Sequence, residues 1–203
     1  MNHLRGASGR KGPRERNDVH RPAAFLDRDG TLIEEVNYLH RPEQVRVIPG
    51  VREALLRLRA EGVALVVVTN QSGVARGYFT EDDVHAVHRH LEALLDLPFD
   101  GTYACFHHPR GEVARYAGVC ACRKPSPGML EQAARELGLD LTQSAMFGDK
   151  VSDLGAGRAL ALPAFLVRTG HGESEAPPAR RAGYPEYAHL PAALAAWRGW
   201  DAA

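Results

Sequence analysis

The chain has 203 residues, 44% of them hydrophobic, and its charges balance, with 25 Lys+Arg against 25 Asp+Glu. That profile fits one soluble globular domain and excludes collagen-like, coiled-coil and membrane-spanning architectures, the last needing a run of roughly 20 apolar residues. A net charge of zero also argues against a general polyanion binder, so neither nucleic acid nor membrane is expected as a partner. The three cysteines all fall in the second half and no apolar leader opens the chain, which points to a reducing, cytoplasmic setting.

Residues 1–22 carry six basic side chains and two acidic ones, with almost no apolar content. Such a segment cannot bury enough surface to offset its ordering entropy and reads as a disordered basic tail. Residues 23–203, with 19 basic and 23 acidic side chains, read as a single domain. Ala23–Leu26 is a short apolar run stopped by an Asp, as a buried strand would be. Pro49-Gly50 opens a helix over Val51–Glu61, where Val51, Ala54, Leu55 and Leu58 share a face and Gly62 closes it. Val63–Thr69 is continuously apolar and β-branched, the pattern of a strand covered on both faces. Thr80 and Asp83 form a capping-box pattern ahead of a helix through about Asp96. Gly101–His107 is a third strand, and Ser126-Pro127 caps a helix running to Leu137. Ser144–Gly148 and Ala164–Val167 are two further short strands. Strands alternating with helices predict an α/β fold with a doubly wound, mostly parallel, Rossmann-like sheet. All the strand C-termini of such a sheet lie along one edge, where ligands bind.

What the sequence places at that edge is chemical. Asp27-Arg28-Asp29-Gly30-Thr31-Leu32 follows the first strand. Two carboxylates two residues apart in a tight loop repel each other unless a cation or a phosphoryl group gives them a use. Thr69-Asn70 ends the second strand. Lys124 sits in the loop before the Ser126-Pro127 cap. Asp149 follows the fourth strand, and Asp153 comes four residues later. Carboxylates with a hard divalent cation, a hydroxyl and an ammonium are what phosphoryl transfer requires.

DRDGTL after an apolar strand, Thr69, a Lys before a helix and GDKxxD, in that order, resemble the four motifs of the haloacid dehalogenase (HAD) superfamily. The resemblance implies that Asp27 is a nucleophile forming an aspartyl-phosphate and that Asp29 is the general acid and base. It implies Mg²⁺ held by Asp27, Asp149 and the backbone carbonyl of Asp29, with Thr69 donating to a phosphoryl oxygen and Lys124 balancing charge. Asp153 either orients Lys124, or stands behind the metal's direct ligands, or serves simply as a carboxylate at a helix N-terminus. Only 39 residues separate Asp29 from Thr69, so no cap domain is expected there.

A second constellation contains every cysteine. Cys105-x-His107 and Cys120-x-Cys122 are each spaced to point two side chains the same way from extended backbone. Three thiolates and an imidazole suit a closed, structural tetrahedral Zn²⁺ site. His108 is the rival ligand, but in a strand it points the other way. Zinc there would clamp the loop at 109–119 and set Arg123 and Lys124 over the strand ends.

CFHHPRG…CACRKPSPGM, FLDRDGTLIEEVNYLHRPEQV and TNQSGVARGYF are together similar to the D-glycero-D-manno-heptose 1,7-bisphosphate 7-phosphatases, capless HAD enzymes with this zinc pattern. The resemblance implies a small phosphorylated sugar as substrate. Glu35, Val36, Asn37 and Tyr38 would meet the sugar, while Asn70, Gln71 and Ser72 would bind near the reacting phosphate. Arg123 and Lys150 would add positive charge for a second phosphate. Histidinol-phosphate phosphatases share the Asp pair and the zinc ligands but have a shorter loop, whereas here twelve residues separate His107 from Cys120. A nucleic-acid end phosphatase would need a basic groove, which the negative core opposes. A zinc-stabilised binding module without turnover is the remaining alternative. A monomer is expected. Basic residues 1–22 and a Pro-rich tail around Pro177-Pro178 depart from the family pattern. His85, His88 and His90 read as a solvated helix face, Arg168–Gly172 as a strand-end loop with a minor sugar contact as the alternative, and Trp197 and Trp200 as helix packing.

Overall fold

The computed structural model describes residues 20–201, so most of the expected basic tail lies outside the described residues. Arg21 and Pro22, grouped with that tail on composition, are joined to the domain. The Arg21 backbone bridges to Leu139 and its guanidinium reaches Asp100 at 2.6 Å, while the Pro22 carbonyl accepts from the Ala64 N–H at 2.8 Å.

Six strands build one sheet: β1 (Ala23–Leu26), β2 (Ala64–Asn70), β3 (Gly101–Cys105), β4 (Ala145–Gly148), β5 (Ala164–Val167) and β6 (Glu186–Tyr187). Their order is β3-β2-β1-β4-β5-β6, and every pairing is parallel rather than most of them. The chain therefore steps outward from β1 to β3, then returns to β1's other side with β4. The C-terminal ends of β1, β2 and β4 meet at that reversal, where a parallel sheet opens its ligand crevice.

The continuous apolar strands have a two-sided cause. Ala24, Leu26, Leu65 and Val67 face a core closed by α1 (Val51–Ala60), α3 (Glu81–Leu95) and α7 (Leu190–Arg198), while the single-turn α2 (Ser72–Ala75) follows β2 outside it. Ala23, Phe25, Ala64, Val66 and Val68 face a second core closed by α4 (Gly128–Leu137), α5 (Val151–Arg158) and α6 (Gly172–Arg181). Alternation along a strand thus sends every side chain into apolar surroundings, leaving no polar face to read.

Helix ends follow local chemistry. The expected capping box starts α3, with the Thr80 N–H donating to Asp83 Oδ2 at 2.7 Å and the Asp83 N–H to Thr80 Oγ1 at 3.2 Å. The α4 cap differs from expectation: Pro127 itself is the N-cap, without a side-chain cap, and Ser126 instead donates its backbone N–H to the Arg123 carbonyl. The Pro-rich tail is helical. Pro177 and Pro178 lie inside α6, and the carbonyls left without helical donors, four residues back, belong to the exposed Glu173 and Ser174, where water can serve them. Trp197 packs edge-on against Phe147 with centroids 5.5 Å apart, and Trp200 Nε1 donates to Glu61 at 2.6 Å, as the packing expectation required. His88 breaks from the solvated-face reading. Its side chain is only 12% exposed and Nε2 lies 2.6 Å from Thr102 Oγ1, because α3 leans on the edge strand β3. Among the described residues no helix is long and apolar enough to cross a membrane.

Candidate active site

The loop after β1 turns within three residues because three amides, those of Thr31, Leu32 and Ile33, all donate to the Arg28 carbonyl. Gly30 makes the turn possible with φ +79°, and a Cβ there would sit 2.3 Å from Asp149 Oδ2. From across the cleft the loop after β5 closes in equally tightly. A Cβ on Gly170 would lie 2.5 Å from Gly30 Cα, the His171 N–H donates to Asp149 Oδ2 at 2.8 Å, and Thr169 Oγ1 donates to the Gly30 carbonyl at 2.5 Å. Asp149 is thereby wedged between two loops, fully buried, with Oδ1 lacking any partner among the described residues.

Asp27 lies beside it and is 5% exposed. Lys124, held in the loop before α4, has all three of its N–H bonds placed: Asp27 Oδ1 at 2.7 Å, Asp153 Oδ1 at 2.8 Å and the Val68 carbonyl at 2.7 Å. Burial pulls the Lys124 ammonium toward neutrality, but Asp153 and Asp27 outweigh it and hold the proton on. Two of the readings of Asp153 hold together, its contact with Lys124 and its place at a helix start, since its other oxygen accepts from the Lys150 N–H at 3.0 Å at the start of α5. Asn70 locks Lys124 in place through a reciprocal pair, each partner donating to the other at 3.1 Å.

The acids are crowded. Burial, against the pull of Lys124 and with the push of Asp153 and Asp29, raises the Asp27 carboxyl to about 6. Burial and the Asp27 charge raise Asp149 to about 8. Asp27, Asp149 and Asp153 bring ligand oxygens within 4.8 Å of one another. An orphaned buried carboxylate oxygen beside a second crowded carboxylate is a donor set that a hard divalent cation satisfies. Magnesium fits these residues.

The remaining sequence candidates divide. Asp29, Thr69, Glu35, Val36, Asn37, Tyr38, Asn70, Gln71, Ser72 and Lys150 all line one cleft of about 170 Å³ with Asp27 and Lys124. Gln71 is buried, however, and its amide is committed internally, to Asp29 Oδ2 at 2.8 Å and Thr69 Oγ1 at 2.9 Å. The Asn70 amide is likewise spent on Lys124. Tyr38 is exposed, sits at φ +55° and meets Tyr78 edge-on at 4.7 Å. Arg123 is absent from the cleft lining; its guanidinium donates to the His107 carbonyl at 3.3 Å. Sequence reasoning missed Arg28, Ser152 and Phe79, and gave the loop at 169–171 at most a minor sugar contact. His171 lines the cleft, with its ring 3.7 Å from Glu35. The position of that loop directly after a parallel strand was the available signal.

Just past β3, the four cysteine and histidine candidates converge. Cys105 Sγ lies 3.1 Å from Cys122 Sγ and 3.6 Å from Cys120 Sγ, Cys120 and Cys122 are 3.2 Å apart, and His107 Nδ1 is 3.5 Å from Cys122 Sγ. Burial pushes the Cys105 thiol well up, so four soft donors face one another with no built-in cation. Sulfurs about 2.3 Å from a common centre would stand roughly this far apart, and tetrahedral zinc fits. His108 turns away as expected, accepting from the Arg110 N–H at 3.1 Å and approaching Arg76 at 3.3 Å.

A parallel sheet whose reversal point carries this Asp pair, threonine, lysine and distal aspartate defines a hydrolase class, and residues 23–160 match the family model for haloacid dehalogenase-like hydrolases. The chain belongs to that family. Within it, the chain is 46% identical over 153 residues to the D-glycero-beta-D-manno-heptose-1,7-bisphosphate 7-phosphatase of Yersinia pestis, covering 73% of this chain and 81% of the relative. It is 48% identical over 152 residues to the enzyme of the same name from Haemophilus influenzae, covering 73% and 82%. Among solved structures, the D,D-heptose 1,7-bisphosphate phosphatase from B. bronchiseptica complexed with magnesium and phosphate superimposes with a TM-score of 0.77 at 30% identity, over 88% of this chain and 98% of that one.

Proposed function

We propose that this hydrolase removes the 7-phosphate of D-glycero-β-D-manno-heptose 1,7-bisphosphate through an aspartyl-phosphate on Asp27. The single observation that carries the substrate assignment is the identity of 46–48% to enzymes of that name, extending over about four fifths of their length. The cleft agrees with it. It is predominantly polar, opens beside Lys150 and Glu35, and has room for a sugar over buried acids.

In the first half-reaction an Asp27 oxygen attacks phosphorus, the bond from phosphorus to the sugar oxygen breaks, and Asp29 gives its proton to that oxygen. In the second, a water oxygen attacks the same phosphorus, the bond to Asp27 breaks, and the water proton passes to Asp29. Lys124 fixes the Asp27 rotamer and offsets its charge, while the Thr69 hydroxyl lies beside the phosphoryl position. Bound by Asp27 and Asp149, magnesium would supply positive charge between the nucleophile and the phosphoryl oxygens. Zinc at Cys105, His107, Cys120 and Cys122 would hold the loop that ends in Arg123 and Lys124; Lys150 in the cleft lining would give positive charge to the second phosphate, and Arg123 would join it only by leaving the His107 carbonyl.

The test is phosphate release with magnesium from the β- and α-anomers of the bisphosphate and from histidinol phosphate. Preferential turnover of the β-anomer is expected. Faster turnover of histidinol phosphate, or none with any phosphomonoester, would reject the proposal.

A further inference from the structure

Between the proposed nucleophile and the proposed acid stands a residue with no assigned task. Arg28 is the largest fully buried side chain among the described residues, 1% exposed, in the turn between Asp27 and Gly30. Burying a guanidinium is expensive, and a buried ion pair contributes little net stability compared with apolar packing of the same volume. Arg28 is also poorly compensated for that cost. Its Nη1 is buried with no partner among the described residues, and the side chain backs onto a second cavity shared with His85 and His88. Stability therefore does not account for it.

What Arg28 does touch is Asp29. Nε donates to Asp29 Oδ2 at 3.1 Å, and Nη2 lies 3.0 Å from Oδ2 and 3.2 Å from Oδ1. Gln71 Nε2 adds a third donor to Oδ2 at 2.8 Å, and is itself anchored on Thr69. Oδ2 is thus saturated from two directions, whereas Oδ1 carries one long contact. The carboxylate plane is fixed by a planar fork on one side and an amide on the other, a rigidity that a lysine's point charge could not impose.

We propose that Arg28 is the positioning residue of the acid–base step: with Gln71 it clamps Asp29 so that Oδ1 alone handles the proton exchanged with the leaving oxygen and the attacking water. This inference rests on the proposed role of Asp29. It assigns the clamp no contact with substrate, so binding should survive its loss while proton transfer should not.

The experiment compares two leaving groups in Arg28→Met, which retains the side-chain volume. With the sugar bisphosphate, whose leaving oxygen needs a proton, kcat should fall at least about 30-fold while KM stays within about threefold, as expected for a misaligned general acid. With p-nitrophenyl phosphate, whose leaving group departs without a proton, the single-turnover burst of p-nitrophenolate should stay within about threefold of wild type. Arg28→Lys, which keeps charge but not the fork, should show the same split and recover little of kcat. It carries the comparison if the methionine variant does not fold. Equal slowing of burst and sugar turnover would mean that Arg28 merely supports the loop, and unchanged kcat would mean that it does nothing for Asp29; either result overturns the clamp. A wild-type protein that forms no burst and turns over neither substrate would remove the phosphatase reading itself, and the clamp with it.

Discussion

Two clusters of ionisable side chains sit on the same sheet edge, joined by the single residue between Cys122 and Lys124, and they are held in opposite ways. The carboxylates at 27, 149 and 153 are built around an internal cation: Lys124 contacts two of them and a backbone carbonyl. The sulfurs and imidazole at 105, 107, 120 and 122 gather around no such cation: they face one another, with the His107 ring edge-on to Tyr116 at 5.9 Å. The acid cluster can therefore keep its shape when its metal comes and goes, as a catalytic site should. The thiol cluster has no internal cation to organise its donors and depends on a resident ion for that, although its loop is also tied down by the Glu112 and Val113 N–H groups on the Ala75 carbonyl and by buried Tyr116.

The strongest way to break this contrast is at the acid that Lys124 holds. Asp27→Asn should lower phosphate release by at least about a thousandfold, the scale expected when a covalent nucleophile is lost. Its melting temperature should stay the same or rise, because burial already disfavours the Asp27 charge. A steady-state assay beside a thermal melt decides both. Lys124→Met should strike stability as well as rate. It strands two buried carboxylates, at an expected cost of about 3–5 kcal/mol by urea unfolding of the metal-free protein. If magnesium-free stability were unchanged, the internal cation would not be what organises the acids.

Cys120→Ser sharpens the other half. Bound zinc, measured by elemental analysis, should fall from about one per chain to near zero, with activity reduced about tenfold through the displaced loop rather than abolished. Loss of activity as complete as in Asp27→Asn would contradict the structural role. The smallest effect concerns pH. Asp27 and Asp149 have folded-state pKa values of about 6 and about 8, both above the ordinary carboxylate value. A raised value means that their contribution to stability is complete below the ordinary carboxylate range and is lost as pH rises through 6 and then 8. Chelator-treated protein should therefore melt a few degrees lower at about pH 9 than at about pH 5, and added magnesium should raise the melt more at the higher pH. A magnesium shift that is the same at both would show that the cation does not bind through these acids.

The strands and their parallel arrangement were legible in the sequence because apolar runs such as Ala64–Val68 end in a polar residue with a job; the thiol cluster was legible because its pairs are local, and the acid cluster because Asp27 and Asp149 each follow a strand whose end lies on the same sheet edge. What escaped reading depended on contacts between distant segments. Gln71 looked like a substrate ligand, yet its amide is consumed by Asp29 and Thr69. Arg123 looked like part of the cleft, yet it turns to the His107 carbonyl. His88 looked solvated because its helix neighbours are charged, whereas its environment is set by β3, which pairs at the far edge of the sheet. Helix α6 was hidden by two prolines whose cost falls on exposed carbonyls. A one-dimensional pattern reports which residue types are present and says little about which of their hydrogen bonds are already taken.

The contact between Gly30 and Gly170 across Asp149 has a practical corollary for anyone who wishes to retarget this enzyme. With less than the width of a methyl group on either side, the two glycines that pack around Asp149 behind the cleft admit no side chain without displacing that carboxylate or the facing backbone. Freedom to evolve a new specificity lies opposite, where Asn37 and Tyr38 are exposed and Ser72 borders the same opening. The rigid packing behind the cleft thus fixes the reaction, while its exposed rim can learn new substrates.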